Sequence, residues 1–112
     1  MIVSNGHGPD PRVQKEAEAL VEGGYDVRIL AWDRESSYSP SETIRGVRIE
    51  RFQHGRQSYG ALFQTWKGLR RFHRFAYQAM RDDPPLVCHS HDQDTCRVGL
   101  RWKTEGRGRF VF

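Results

Sequence analysis

The 112-residue chain has only two cysteines, and no apolar run approaches the roughly 18 residues needed to cross a bilayer. It has no internal repeat and no low-complexity stretch. Two cysteines in a small basic chain make no disulfide framework, so a reducing compartment is expected. The first residues lack the basic and then apolar pattern of a secretory signal. Apolar residues make up 37%, little for a doubly wound sheet, and the length leaves room for one domain at most. Basic residues outnumber acidic ones by 18 to 14, a net charge of +4 that suits an anionic partner. A nucleotide, a phospholipid surface and nucleic acid all fit that charge, but no nucleic-acid recognition motif accompanies it.

What is present begins with a strand, a loop and a helix. Ile2 and Val3 are strand formers, and Gly6 and Gly8 follow in a loop where a ligand could come close to the backbone. Asp10 is a good N-cap, and Pro11 suits the first helical position, where its missing N–H costs nothing. Val13, Ala17, Leu20 and Val21 recur at helical spacing, and Gly23-Gly24 stops the helix. The carboxyl end of a first parallel strand facing a helix N-terminus is a place where α/β proteins bind anions. Arg12, a cation opposing the helix dipole in the first turn, either serves that anion, reaches into water, or pairs with Glu16 one turn on.

Tyr25–Trp32 reads as a second strand, and Asp33–Glu42 as a polar loop. Val47–Phe52 alternates apolar and charged residues, the pattern of an edge strand with one wet face. Gln53–Gly60 is a second loop. Residues 61–82 form a long helix with Leu62, Trp66, Leu69, His73, Ala76 and Met80 as one stripe, ended by Asp83-Pro84-Pro85. Leu86–His91 is a strand, Asp94–Glu105 a helix with Val98, Leu100 and Trp102 as its apolar residues, and Arg109–Phe112 a last strand. The order β-α-β-β-α-β-α-β argues for an α/β fold with a mainly parallel sheet flanked by helices. The chain starts in a short strand and stops in another, so a fragment of something larger is expected.

Cys88-His-Ser-His-Asp-Gln-Asp-Thr-Cys96 forms a second dense constellation, at the carboxyl end of a strand. Alternation puts His89 and His91 on one face and Cys88 and Ser90 on the other, with His91 and Asp92 at the rim. Asp94 or Thr95 can cap the next helix. His91 beside a carboxylate is the sort of group that orients or deprotonates a hydroxyl. His89 and His91 could chelate, but the spacing matches no standard zinc pattern. Two hydrogen-bonded histidines in a polar loop are the bland alternative. A nucleophilic Cys–His pair has nothing further to support it, Cys88 reading as a small buried residue.

Taken in order, several segments resemble the N-terminal half of glycosyltransferase family 4, the retaining enzymes of GT-B fold. They are Pro9-Asp-Pro-Arg-Val13 with Lys15-Glu-Ala17, Gly23-Gly-Tyr-Asp-Val27, Ala31-Trp-Asp-Arg34, Val87-Cys-His-Ser-His-Asp92 and Gly99-Leu100. The resemblance implies that residues 1–112 are an incomplete N-terminal Rossmann-like domain, without the C-terminal domain that holds a nucleotide-sugar donor. It implies transfer of a hexosyl-type sugar from that donor to a glycan or lipid-linked acceptor, as in the making of cell-envelope polysaccharide, with no metal and no further cofactor. By position, His91 matches the family's histidine at the reaction centre. Gly6 and Gly8 lie where the first loop nears the donor phosphates. Asp10 and Arg12 match the segment beside the cleft, and Asp92 adjoins it. The first loop departs from the family, since Gly6-His-Gly8 is not the adjacent glycine pair. The isolated chain is expected to be inactive.

In helix 61–82, Lys67, Arg70, Arg71, Arg74 and Arg81 interleave with Phe63, Trp66, Phe72, Phe75 and Tyr77. That mixture suits an anionic membrane surface, hence a cytoplasmic protein that docks peripherally on the inner face. It equally suits a crossover helix with a buried aromatic stripe and solvated arginines. Two rival functions stand beside the transferase. A dinucleotide-binding oxidoreductase would use Asp33 at the end of the second strand, although the loop lacks the third glycine of that fingerprint. The other is a non-catalytic remnant acting as a binding module.

Overall fold

The computed structural model describes residues 1–8, 10–54 and 62–112, without the side chains of 62–64. The expectations for Pro9, for the loop from Gly55 to Gly60, for Ala61, and for the side chains of Leu62 and Phe63 lie outside that description. The elements are β1 (Ile2–Val3), α1 (Pro11–Glu22), β2 (Arg28–Trp32), β3 (Ser41–Ile44), β4 (Val47–Phe52), α2 (Leu62–Asp82), β5 (Val87–His89), α3 (Cys96–Thr104) and β6 (Arg109–Val111), with a 3-10 turn at Gln93–Thr95 before α3. Four strands pair in the order β1-β2-β4-β3, and β5 pairs with β6. A parallel bridge from Ile2 to Ser90 joins the two sets. The His91 amide donates to the Ile2 carbonyl at 3.1 Å in the same place. The strands therefore run β3-β4-β2-β1-β5-β6, all parallel except β3. The chain departs leftward from β1 and then returns to β1's other side, so the order reverses between β1 and β5. In open α/β sheets ligands bind at that reversal, outside the carboxyl ends of the strands.

Period-two alternation distributes the core. Val3, Ile29, Ala31, Val47 and Ile49 meet Val13 and Ala17 of α1 on one face. Ile2, Leu30, Trp32 and Cys88 meet Phe72, Ala76 and Met80 of α2, with Val98 and Trp102 of α3, on the other. The sheet is covered on both sides, which permits the near-continuous apolar run of β2. Asp10 caps α1, its carboxylate accepting from the Arg12 and Val13 amides. Gly24 leaves the helix at φ +89°, a conformation that L side chains resist.

Several expectations are corrected. Ser41–Ile44 is a strand, where a loop runs to Glu42 in the sequence reading, and Val47–Phe52 is an inner strand, not the edge. The Arg45-Gly46 turn explains both. Its two residues have φ of +48° and +81°, the positive pair of a two-residue hairpin, and that hairpin lays β3 antiparallel along β4. The second strand begins at Arg28, not Tyr25. Trp66 is half-exposed because, at 3.6 residues per turn, it lies about 120° around α2 from Phe72. Leu100 is exposed because the buried pair Val98 and Trp102 is spaced i, i+4, which sets position 100 on the other side. Neither Asp94 nor Thr95 caps α3 through its side chain: the Thr95 hydroxyl donates instead to the Asp92 carbonyl at 2.8 Å.

Candidate functional site

Three loops meet above the reversal point. The first follows β1, the second follows β2, and the third follows β5. Asp92 ties the first to the third: its carboxylate accepts from the Ser4 amide at 2.7 Å and the Ser4 hydroxyl at 3.0 Å. With the His91 amide bound to Ile2, the rim residues His91 and Asp92 are held from both sides.

His89 and His91 project from one face, as alternation requires, with ring centroids 4.1 Å apart. That face looks onto α1, and Glu16 of α1 stands against both rings. One carboxylate oxygen lies 2.9 Å from His89 Nδ1, the other 3.9 Å from His91 Nδ1. The His91 side chain is 6% exposed, and its Nε2 is buried without a hydrogen-bond partner. An unmet buried polar atom costs about 1–3 kcal/mol. Burial, and next the neighbouring His89, hold the His91 imidazole below its ordinary pKa, so it stays neutral near pH 7. A neutral imidazole at the rim can accept a proton from a hydroxyl or orient it. Burial raises both thiols, Cys88 and Cys96, above the ordinary range, which disfavours the thiolate that a nucleophilic cysteine needs.

Arg12 is 71% exposed and leans to Asp10 at 3.8 Å. It does not pair with Glu16, because Glu16 faces the histidines. Asp10 acts through its cap. Gly6 and Gly8 do not adopt positive φ; the left-handed residue of their loop is His7, at φ +45°. The group that approaches these glycines among the described residues is the Tyr38 ring. A Cβ on Gly8 would lie 1.9 Å from it, and one on Gly6 3.1 Å. Arg51 holds this second lobe together. Its guanidinium donates to the carbonyls of Gly6 at 2.7 Å, Ser39 at 2.8 Å and His7 at 3.1 Å. It also pairs with Glu42 at 2.5 Å. Asp33 is buried and accepts from the Tyr38 amide at 3.0 Å and from Gln53 Nε2 at 2.9 Å. A cleft of about 310 Å³ opens here among Ser4, Asn5, Gly6, Arg34 and Tyr38. A larger groove of about 530 Å³ lies between α2 and β4, lined by Arg28, Arg71 and Arg74 but by none of the rim residues.

The structure thus brings His91, Asp92 and Ser4 to one edge, with Gly6 and Gly8 under Tyr38. Sequence reasoning missed Glu16, Arg51 and Tyr38. Glu16 had a visible signal, its place in the apolar-facing half of α1, while Arg51 shares the parity of Val47 and Ile49.

The family profile described as glycosyl transferase 4-like domain matches residues 7–112. No curated protein matches. Among solved structures, the fold is similar to sucrose-phosphate synthase from Thermosynechococcus elongatus, with a TM-score of 0.71 at 17% identity. The likeness covers 96% of this chain and 28% of that one, so the chain spans under a third of that protein's length.

Proposed function

The chain belongs to the glycosyl transferase 4-like family, and we propose that it forms the acceptor-side wall of a site that moves a sugar from a nucleotide-sugar donor to a glycan or lipid-linked acceptor. The observation that carries this reading is the meeting of Asp92 with Ser4, and of the His91 amide with Ile2, at the reversal point of the sheet. In the proposal, neutral His91 orients the reacting sugar, and Asp92 fixes the rim through Ser4. The exposed guanidinium of Arg12 faces the anionic part of the donor, and the Gly6–Gly8 backbone lines the same approach. The Asp33 carboxylate is occupied by Tyr38 and Gln53, which weighs against a nicotinamide ribose there. Cytoplasmic action on cell-envelope polysaccharide, beside an anionic membrane, fits the basic side chains of α2.

The test is NMR titration of the 15N-labelled chain with nucleotide-sugar, with sugar phosphate and with NAD. Nucleotide-sugar or sugar phosphate is expected to shift amides at Ser4–Arg12 and Ser90–Gln93, and His91→Ala to remove those shifts. Tighter NAD binding centred on Asp33 would overturn the reading. The 112 residues alone are expected to give no transfer and no donor hydrolysis, because the family resemblance puts the donor pocket in a second domain.

A further inference from the structure

We propose that Glu16, His89 and His91 form a binding site for one first-row divalent transition ion of the Zn2+ class. The inference does not depend on sugar transfer, since it concerns only what these three side chains ligate. One ligand atom from each residue lies within 4.8 Å of the other two. A tetrahedral ion with bonds of about 2.0–2.1 Å sets its ligands roughly 3.3 Å apart. Glu16 Oε1 lies 2.9 Å from His89 Nδ1, near that value, and Oε2 of the same carboxylate lies 3.9 Å from His91 Nδ1. Small side-chain movements would therefore close the triad on an ion.

Hydrogen bonding alone leaves the cluster unfinished. At 3.9 Å the Glu16–His91 contact is too long for a hydrogen bond, and His91 Nε2 is sealed from solvent with no partner. A side chain 94% buried thus leaves Nε2 without a partner among the described residues, with Nδ1 turned toward Glu16. The donor set selects the ion: two imidazoles and one carboxylate suit zinc, copper, nickel and iron, whereas magnesium and calcium prefer oxygen. Glu16 is 41% exposed, so the site opens to solvent on one side and leaves a coordination position for water. The His-x-His spacing matches no zinc pattern because the third ligand comes from α1, which only the tertiary fold brings near.

Equilibrium dialysis of the full chain against Zn2+ tests the site. One ion per chain is expected, retained in millimolar Mg2+. Glu16→Gln and His89→Ala should each weaken binding at least about tenfold, since even outer-shell partners carry that much. His54→Ala, remote from the cluster, should leave it unchanged. Absence of stoichiometric binding, displacement by Mg2+, or undiminished binding in the Glu16→Gln/His89→Ala double variant would each overturn the proposal. Loading the unmodified chain with Co2+ gives a second readout that does not rely on variants folding. Visible d–d bands without a thiolate charge-transfer band are expected; a thiolate band would assign the ion to Cys88 or Cys96 and refute the site.

Discussion

Arg51 lies on the same face of β4 as Val47 and Ile49 and is 5% exposed. A guanidinium in that place is stable only because three carbonyls and Glu42 meet its donors. Removing it leaves those acceptors unpaired and the loop after β1 untethered. Arg51→Ala is expected to destabilise the chain by about 3 kcal/mol, read by urea unfolding. Arg51→Lys should recover little of the loss, because a point charge cannot reach three carbonyls at once. A near-neutral Arg51→Ala would show that the loop holds itself. From the sequence, Arg51 is one of three charged residues in an alternating strand, and only its shared parity with Val47 and Ile49 marks it as facing inward. Its role depends on the loops after β1 and β2 closing over it, and nothing local announces that closure. His91 differs: strand parity alone sets it beside His89 and away from Cys88.

At the scale of elements, α2 shows how one helix serves the core and the site. Phe72 stacks on Trp32 with centroids 5.8 Å apart, and Ala76 and Met80 continue that buried line. One residue on from Phe72, His73 Nε2 donates to the Asp94 carbonyl at 2.8 Å, fastening the helix to the turn behind the rim. Burial is the main cause holding the His73 pKa below its ordinary 6.5, and the neutral form makes the hydrogen bond. Above pH 6.5 both folded and unfolded His73 are neutral and stability is full. As pH falls below 6.5 the unfolded chain takes up the proton first, so stability declines until the folded pKa is passed. Denaturant midpoints should therefore fall between pH 7.5 and 5.5. His73→Gln, which keeps a donor for Asp94, should flatten part of that fall, the rest belonging to His91, whose shift has the same sign. An unchanged slope in the variant would refute this assignment. The periodicity of α1 and the existence of α2 and α3 are legible in sequence, because apolar spacing is a local property. The facing of Trp66 and Leu100 is not, since it depends on which stripe the sheet selects.

For the molecule as a whole, charge and covering matter together. Among the described residues no helix is long and apolar enough to cross a membrane. Phe72 is buried in the core and Phe75 and Tyr77 pack against it, while Trp66 is half-exposed beneath Arg70. With that much of its apolar face against the sheet, α2 has chiefly cations to offer a lipid surface. Co-sedimentation is expected to be absent with neutral vesicles. With anionic vesicles, any pelleting should vanish in about 0.5 M salt, where the screening length drops to a few ångströms. Salt-resistant binding would instead mean insertion of aromatic side chains.

The sequence by itself determined the alternation of strands and helices, the capped start of α1, and the placing of His91 and Asp92 at a strand's carboxyl end. Each follows from local periodicity and local backbone chemistry. Only the tertiary structure decided that the strand order reverses between β1 and β5, that the hairpin at Arg45-Gly46 makes β4 an inner strand, and that Glu16 faces two histidines. Those outcomes rest on pairings between distant segments, where the balance of burial and hydrogen bonding over the whole sheet selects one arrangement.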